Sequence, residues 1–258
     1  MAFLPGSKIN RVKDNAFRKS KFLISFFRHY FRNSLRRNFS NIYIKGFAPV
    51  LSALEISGKN KRPLIYCANH SSWWDVPVII YLTYDLLNSD SYCLMEKKQF
   101  DVHPYFKGIG AVPIVREDPK DAVRVLAECT DYLNNTGKSL WIFPQGEIIP
   151  NGRRPVHFYS GVSHLLEKLK DPILVCTYLD FRFSGNQFPE IYADFFHINF
   201  EVDLSKEKRS HFARQLAEMY EKQADFFESS FADGSLKDYE LYLKGRKSVN
   251  DRSFTKFS

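Results

Sequence analysis

Short, almost uninterrupted apolar runs separated by segments of helical spacing constrain this chain more than any other feature. The runs are Pro63–Ala68 (PLIYCA), Tyr92–Glu96 (YCLME), Ala111–Val115 (AVPIV), Ser139–Phe143 (SLWIF) and Ile173–Leu179. Each has the length of a core strand. Between them, Trp74–Leu82, Pro119–Asn134 and Gly161–Leu169 read as helices. The helix over 119–134 is well marked, with Pro119 in its first turn, Val123, Leu126, Ala127 and Leu133 on one face, and Gly137 just past its end. Ile42–Phe47 reads as a short strand, Ile191–Phe200 as an outer strand and Ser205–Phe227 as a long helix. From Lys237 onward the chain is charged and reads as a docked helix or frayed tail. Strands alternating with helices predict an α/β fold, a single layered domain with a central mixed sheet flanked by helices.

The 258 residues suit one domain with a sizeable core, and 44% hydrophobic content excludes a mainly disordered chain. Cys67, Cys93, Cys129 and Cys176 are scattered and form no CxxC, so neither a zinc site nor a disulfide framework is expected. No stretch has the length and apolarity of a membrane-spanning helix. Basic residues persist past residue 30 and interrupt the apolar run, unlike a signal peptide.

Charge is distributed unevenly. Residues 1–46 hold 11 Lys/Arg against Asp14 alone, a net +10, so the remainder carries −2 under the overall +8. Within residues 16–38, Phe22, Leu23, Phe26, Phe27, Tyr30, Phe31 and Leu35 share a helical face, while Arg18, Lys19, Lys21, Arg28, Arg32, Arg36 and Arg37 lie mostly elsewhere. An aromatic face on a basic helix suits the plane of an anionic membrane surface. The near-neutral remainder argues against a nucleic-acid partner. The expected layout is a basic amphipathic membrane-surface segment over 1–46, a layered domain over 47–230, and a C-terminal helix or tail over 231–258.

Two polar motifs follow strands, where ligands of open α/β sheets bind. The first is Asn69-His70-Ser71-Ser72-Trp73-Trp74-Asp75, directly after PLIYCA. A neutral imidazole is suited to taking a proton near neutral pH, and a carboxylate beside it fixes its tautomer. On one continuous helix His70 and Asp75 would face apart. With His70 in a loop and Asp75 in a first helical turn they meet, and the helix dipole favours the carboxylate there. The second is Phe143-Pro144-Gln145-Gly146 after SLWIF. Gly108-Ile109-Gly110 lacks the later glycine of a dinucleotide loop, Gly137-Lys138-Ser139 lacks the upstream glycine of a P-loop, and no G-x-S-x-G is present. His157 and His164 lack a matching carboxylate pattern and read as ordinary loop and helix residues, so no metal is expected.

NHSSWWD resembles the N-H-x4-D block of the glycerolipid acyltransferases, the group that contains the lysophosphatidic acid acyltransferases. Further blocks follow in that family's order. Lys97-Lys98-Gln99-Phe100 with Pro104 through Arg116 resembles the second, FPQG the third (normally F-P-E-G), and Phe158-Tyr159-Ser160-Gly161 the later F-K-x-G. The resemblance covers roughly residues 60–180. It implies direct acyl transfer from acyl-CoA or acyl-ACP, a co-substrate rather than a bound cofactor, to a hydroxyl of a 1-acylglycerol-3-phosphate-like lysophospholipid. His70 would be the general base, Asp75 its orienting partner, and Arg116 a phosphate contact. Phe143, Pro144, Gln145, Gly146 and Glu147 would form the acceptor side, with backbone N–H groups around Gly146 as candidate oxyanion donors. A peripheral location on the cytoplasmic face of a membrane follows.

The third block departs from the pattern. Gln145 replaces its glutamate, Glu147-Ile148-Ile149 replaces the usual T-R-S, and Tyr159 replaces a lysine. These changes remove positive charge from the acceptor side. They leave two alternatives open: a non-phosphate acceptor such as a glycolipid, amino-lipid or pigment hydroxyl, and a non-catalytic lipid-binding relative.

Overall fold

In chain order the elements are α1 (Lys21–Asn38), β1 (Asn41–Lys45), α2 (Phe47–Asn60), β2 (Leu64–Ala68) and α3 (Asp75–Tyr81), the last continuing as a π-helical turn over Leu82–Leu86. Next come β3 (Ser91–Glu96), α4 (Lys97–Val102), a 3-10 segment (Pro104–Ile109), β4 (Ala111–Ile114), α5 (Pro119–Leu133), β5 (Ser139–Ile142) and α6 (Gly161–Lys168). The chain closes with β6 (Ile173–Arg182), β7 (Glu190–Asn199), α7 (Arg209–Ala232) and β8 (Glu240–Lys244). This computed structural model describes residues 17–202, 204 and 208–249. Residues 1–16 of the basic segment, Ser205 at the expected start of the long helix, and 250–258 of the C-terminal segment lie outside the described residues.

The strands form one eight-stranded mixed sheet in the order β4-β3-β5-β2-β6-β7-β1-β8. The block from β4 to β6 is parallel throughout, β7 runs antiparallel to β6, β1 is parallel to β7, and β8 is antiparallel to β1. All five side chains of β2 are buried because helices cover both faces of the sheet. Ile65 and Cys67 pack toward α5, α6 and α7, through Leu126, Leu165 and Tyr220 among others. Leu64, Tyr66 and Ala68 point the opposite way, toward Val50 and Ala53 of α2 and Val78 of α3. The α/β fold, its central mixed sheet and its N-terminal helix are therefore those the sequence predicts.

Three local expectations are corrected. Strand β7 is interior rather than outer, because β1 and β8 extend the sheet beyond it. The segment after Lys237 contributes a strand rather than a helix or tail: Glu240–Lys244 pairs with β1 and covers the sheet edge. Helix α2 occupies residues to which the sequence reading assigns no element. Pro49 sits in its first turn, where a missing N–H costs nothing, and Val50, Ala53 and Ser57 form its buried face.

Helix α1 divides its wide apolar arc between two surroundings. Phe27 and Phe31 are buried against Ile80 of α3 and Ile109 of the 3-10 segment, with Leu23, Ile24, Val76 and Phe106 around them. Leu35 reaches the core beside α2. Phe22, Phe26 and Tyr30, spaced by four along the neighbouring stripe, are 76%, 52% and 53% exposed. Arg28 and Arg32 do not face outward freely, since both bind the Asp85 carboxylate, at 3.0 and 3.3 Å. Lys19 is likewise tied to Asp90 and lies over the Tyr92 ring. Arg18, Lys21, Arg36 and Arg37 remain exposed.

Candidate active site

Parallel neighbours in a sheet deliver their C-terminal loops to the same edge. Strands β2 and β5 pair directly, so the loop carrying His70 and the FPQG turn emerge side by side. After Ala68 the chain turns tightly. Ser72 accepts from the Asp75 N–H through its carbonyl, and its Oγ accepts from the Trp74 N–H. The turn places Asp75 in the first turn of α3, pointing back at its own loop. Asp75 Oδ2 accepts three hydrogen bonds, from His70 Nδ1 at 2.7 Å, Ser71 N–H at 2.7 Å and Ser72 N–H at 2.8 Å.

This pairing constrains the imidazole's tautomer. An ionised carboxylate only accepts, so Nδ1 carries the proton and Nε2 presents its lone pair. No acceptor or donor among the described residues occupies Nε2. Asp75 is fully buried, and its Oδ1 has no partner among the described residues. Burial pushes its carboxyl above the ordinary value of 3.8, while the hydrogen bond and charge of His70 and the two backbone donors act in the opposite direction.

The FPQG turn holds His70 from the other side. The Phe143 ring stacks on the imidazole with centroids 4.4 Å apart. Gln145 is buried, and its Oε1 accepts from the His70 N–H at 2.5 Å. The Ile149 N–H donates to the His70 carbonyl at 2.8 Å, so the main chain of His70 is fixed at both ends. Pro144 accepts from the Tyr159 N–H at 2.9 Å, which ties the turn to the later Phe158–Gly161 block. Gly146 closes the turn by donating its own N–H to the Phe143 carbonyl at 3.0 Å. That amide is therefore engaged within the turn. Gly146 has φ +71°, and a Cβ there would lie 2.8 Å from Arg116 Cδ, so only glycine suits the position.

Arg116, just beyond β4, closes over this turn. Its Nη1 donates to the Gly146 carbonyl at 2.9 Å and lies 3.6 Å from Glu147, and its Nη2 lies 3.4 Å from Glu117. The site residues thus fall into two touching groups. His70, Asp75, Phe143 and Gln145 form one, and Arg116, Gly146 and Glu147 the other, with Pro144 in the turn that joins them.

Two further residues support the site from partners that no motif reveals. Asn69 donates to the Leu179 carbonyl at 2.8 Å and accepts from the Leu179 N–H at 2.7 Å, so its amide imitates a peptide unit and extends the β2–β6 ladder toward His70. Tyr220 of α7 donates to the Cys67 carbonyl. Asn69 is visible in the NHSSWWD string, but nothing there marks its partner. Beside these residues lies a cavity of about 320 Å³, lined by Asn69, Gln145, Asn151, Arg153, His157 and Tyr159 among others. Among the described residues no cluster of His, Cys, Asp and Glu is arranged to hold a metal ion, and His164 lies within α6.

Residues 49–179 match the acyltransferase family, a span that holds His70, Asp75, Arg116 and the FPQG turn, while Tyr220 lies beyond it. The chain is 26% identical over 156 residues to a chloroplastic 1-acyl-sn-glycerol-3-phosphate acyltransferase of Brassica napus, covering 58% of this chain and 43% of that protein. It is 26% identical over 132 residues to a chloroplastic 1-acyl-sn-glycerol-3-phosphate acyltransferase of Arabidopsis thaliana, covering 49% of this chain and 35% of that protein. The chain thus spans less than half the length of these curated relatives. With the family's motifs assembled around one histidine–aspartate pair, this chain belongs to the acyltransferase family.

Proposed function

We propose that the protein transfers a fatty acyl chain from acyl-CoA or acyl-ACP to a hydroxyl of a 1-acylglycerol-3-phosphate-like lysophospholipid. The observation that carries this reading is the 2.7 Å contact between His70 and a buried carboxylate, which leaves Nε2 open as a base. In the reaction, Nε2 takes the proton of the acceptor hydroxyl as its oxygen attacks the thioester carbonyl. Asp75 holds the resulting imidazolium. The tetrahedral intermediate then collapses, the C–S bond breaks, and the departing sulfur takes the proton from Nε2, which leaves an ester and a free thiol. An acyl-enzyme on Cys67, three residues from His70, is disfavoured: burial pushes that thiol up to about 12, so it stays protonated and unreactive.

A second reading, acylation of a lipid without a phosphate monoester, is favoured by one observation. Glu147 stands 3.6 Å from Arg116, and so partly neutralises the guanidinium that would meet a phosphate. Labelled acyl-CoA or acyl-ACP incubated with a total lipid extract separates the two. Phosphatidic acid formed by the wild type and absent with His70→Ala is the expected product. A different acylated lipid would establish the second reading, and no His70-dependent product would leave a lipid-binding relative.

The protein works, on this proposal, at the cytoplasmic face of a membrane, through the exposed stripe of α1. No helix among the described residues is long and apolar enough to cross a membrane. Phe22, Phe26 and Tyr30, flanked by Lys21, Arg36 and Arg37, supply both apolar area and positive charge for an anionic surface. Deleting the helix would also uncover Ile80 and Ile109, so the informative change is Phe22→Ser, Phe26→Ser and Tyr30→Ser together. Its expected effect is a drop in partitioning onto anionic vesicles of about 100-fold or more, since each aromatic contributes on the order of 1 kcal/mol or more when buried in lipid. Equal sedimentation of variant and wild type would remove α1 as the docking face.

A further inference from the structure

His70 is held through its main chain, and the hold extends beyond the motif that contains it. The Ile149 N–H donates to the His70 carbonyl at 2.8 Å. Two residues on, Asn151 meets the residue before His70: its Oδ1 accepts from Asn69 Nδ2 at 2.7 Å. Residues 149–151 thus grip Asn69 and His70 together. Asn151 Nδ2 in turn donates to the Leu179 carbonyl and to Asp180 Oδ2, both at 2.8 Å. The two N–H donors and the oxygen of this amide are all in use.

These bonds run in one direction. Asn69 donates to Asn151, and Asn151 donates to Asp180. Asp180 ends the chain because an ionised carboxylate only accepts. It is 2% exposed, takes the Tyr178 hydroxyl on the same oxygen at 3.0 Å, and has Arg182 Nε at 2.6 Å on the other. Arg182 continues to Glu228 of α7. A buried ion pair contributes little net stability, and its best use is to fix orientation. Here it sets which way round both amides lie. With the Asn151 nitrogen facing Asp180, the Asn151 oxygen faces Asn69. Asn69 then presents its nitrogen there and keeps its oxygen for the Leu179 N–H at 2.7 Å.

We propose that Asn151 and Asp180 are positioning residues for acyl transfer. Asp180 fixes the polarity of the Asn151 amide, and Asn151 holds Asn69, and with it the placement of the His70 imidazole. The proposal rests on the acyltransferase reading and adds to it two residues that lie outside the motifs around His70. Both act through Asn69 and His70 rather than on the reacting atoms.

The test compares the full chain with Asn151→Ala and Asp180→Asn. Transfer from labelled acyl-CoA or acyl-ACP is measured with 1-acylglycerol-3-phosphate and with a total lipid extract as acceptors. Asp180→Asn nearly preserves shape, and Arg182 retains Glu228. The one oxygen of the new amide cannot occupy both positions, facing Arg182 and facing Asn151, so the direction of the chain is lost. In both variants kcat should fall by about tenfold to 100-fold with the donor KM within about threefold, the effect of a displacement of roughly 1 Å. Ring-nitrogen NMR reads the imidazole itself. The His70 signals, identified by their absence in His70→Ala, should move in both variants. A folded variant with wild-type kcat, or a fall in kcat with unmoved His70 signals, would overturn the proposal. So would unfolding of both variants, which would make the network a support of the fold. A wild type without His70-dependent transfer to either acceptor would instead overturn the acyltransferase reading, and this proposal with it.

Discussion

Replacing His70 with alanine is expected to slow acyl transfer by about 10²- to 10⁴-fold, the range a positioned general base contributes. The protein should remain folded. The two main-chain bonds of His70, from its N–H to Gln145 and from Ile149 to its carbonyl, do not depend on the side chain. The main loss in packing is the stack on Phe143. Thermal denaturation measured beside the transfer rate separates the two effects. A folded His70→Ala protein with wild-type activity would take the imidazole out of the chemistry.

Asp75→Asn is expected to cost about as much activity, on the order of 10⁴-fold, for a different reason. Asparagine can still accept the Ser71 and Ser72 N–H groups through its oxygen, so the loop keeps its shape. It carries no charge to stabilise an imidazolium, and it does not enforce the Nδ1–H tautomer. Stability should respond differently from activity. Burial raises the Asp75 pKa above its ordinary 3.8, so the folded state binds the proton more tightly than the unfolded chain does. The stabilisation from that tighter binding is complete below the unfolded pKa and is lost as pH rises through the raised folded value. An ionised carboxylate at this position stands in a setting that disfavours it, with Oδ1 unpartnered among the described residues. Removing the charge should leave the melting temperature at pH 7 unchanged or higher. A variant that melts earlier at pH 7 would show that the carboxylate supports the fold, and one that stays active would show that the charge is not needed.

What the sequence discloses here follows from how local each interaction is. Strands β2, β5 and β6 are legible because burial on both faces writes itself as a continuous apolar run, and the half-buried β3 and β4 are still short, mostly apolar segments between helices. The juxtaposition of His70 and Asp75 is legible because the whole arrangement fits within one loop and one helical turn. The interior position of β7 depends on β1, nearly 150 residues earlier, and on β8, which no local pattern reveals. Gln145 illustrates the same limit at the site. Its residue type marks a departure from the familiar block, but the direction in which its amide points is fixed by a partner 75 residues away. Likewise, the basic residues of α1 look alike in sequence, and only the structure separates Arg28 and Arg32, held by the buried Asp85, from those that face outward.

On the proposed docking of α1 at a lipid surface, the packing of α1 on α3 has a kinetic consequence. Phe27 and Phe31 lie against Ile80, on the same short helix whose first residue is Asp75. A docking stripe built onto that rigid pair would seat the reactive imidazole at a set height above the lipid plane, with little freedom to tilt or rise. Turnover would then follow the acceptor's mole fraction in the bilayer rather than its bulk concentration. Diluting the acceptor with inert lipid at constant total acceptor should slow the enzyme, as expected of a catalyst that works in two dimensions.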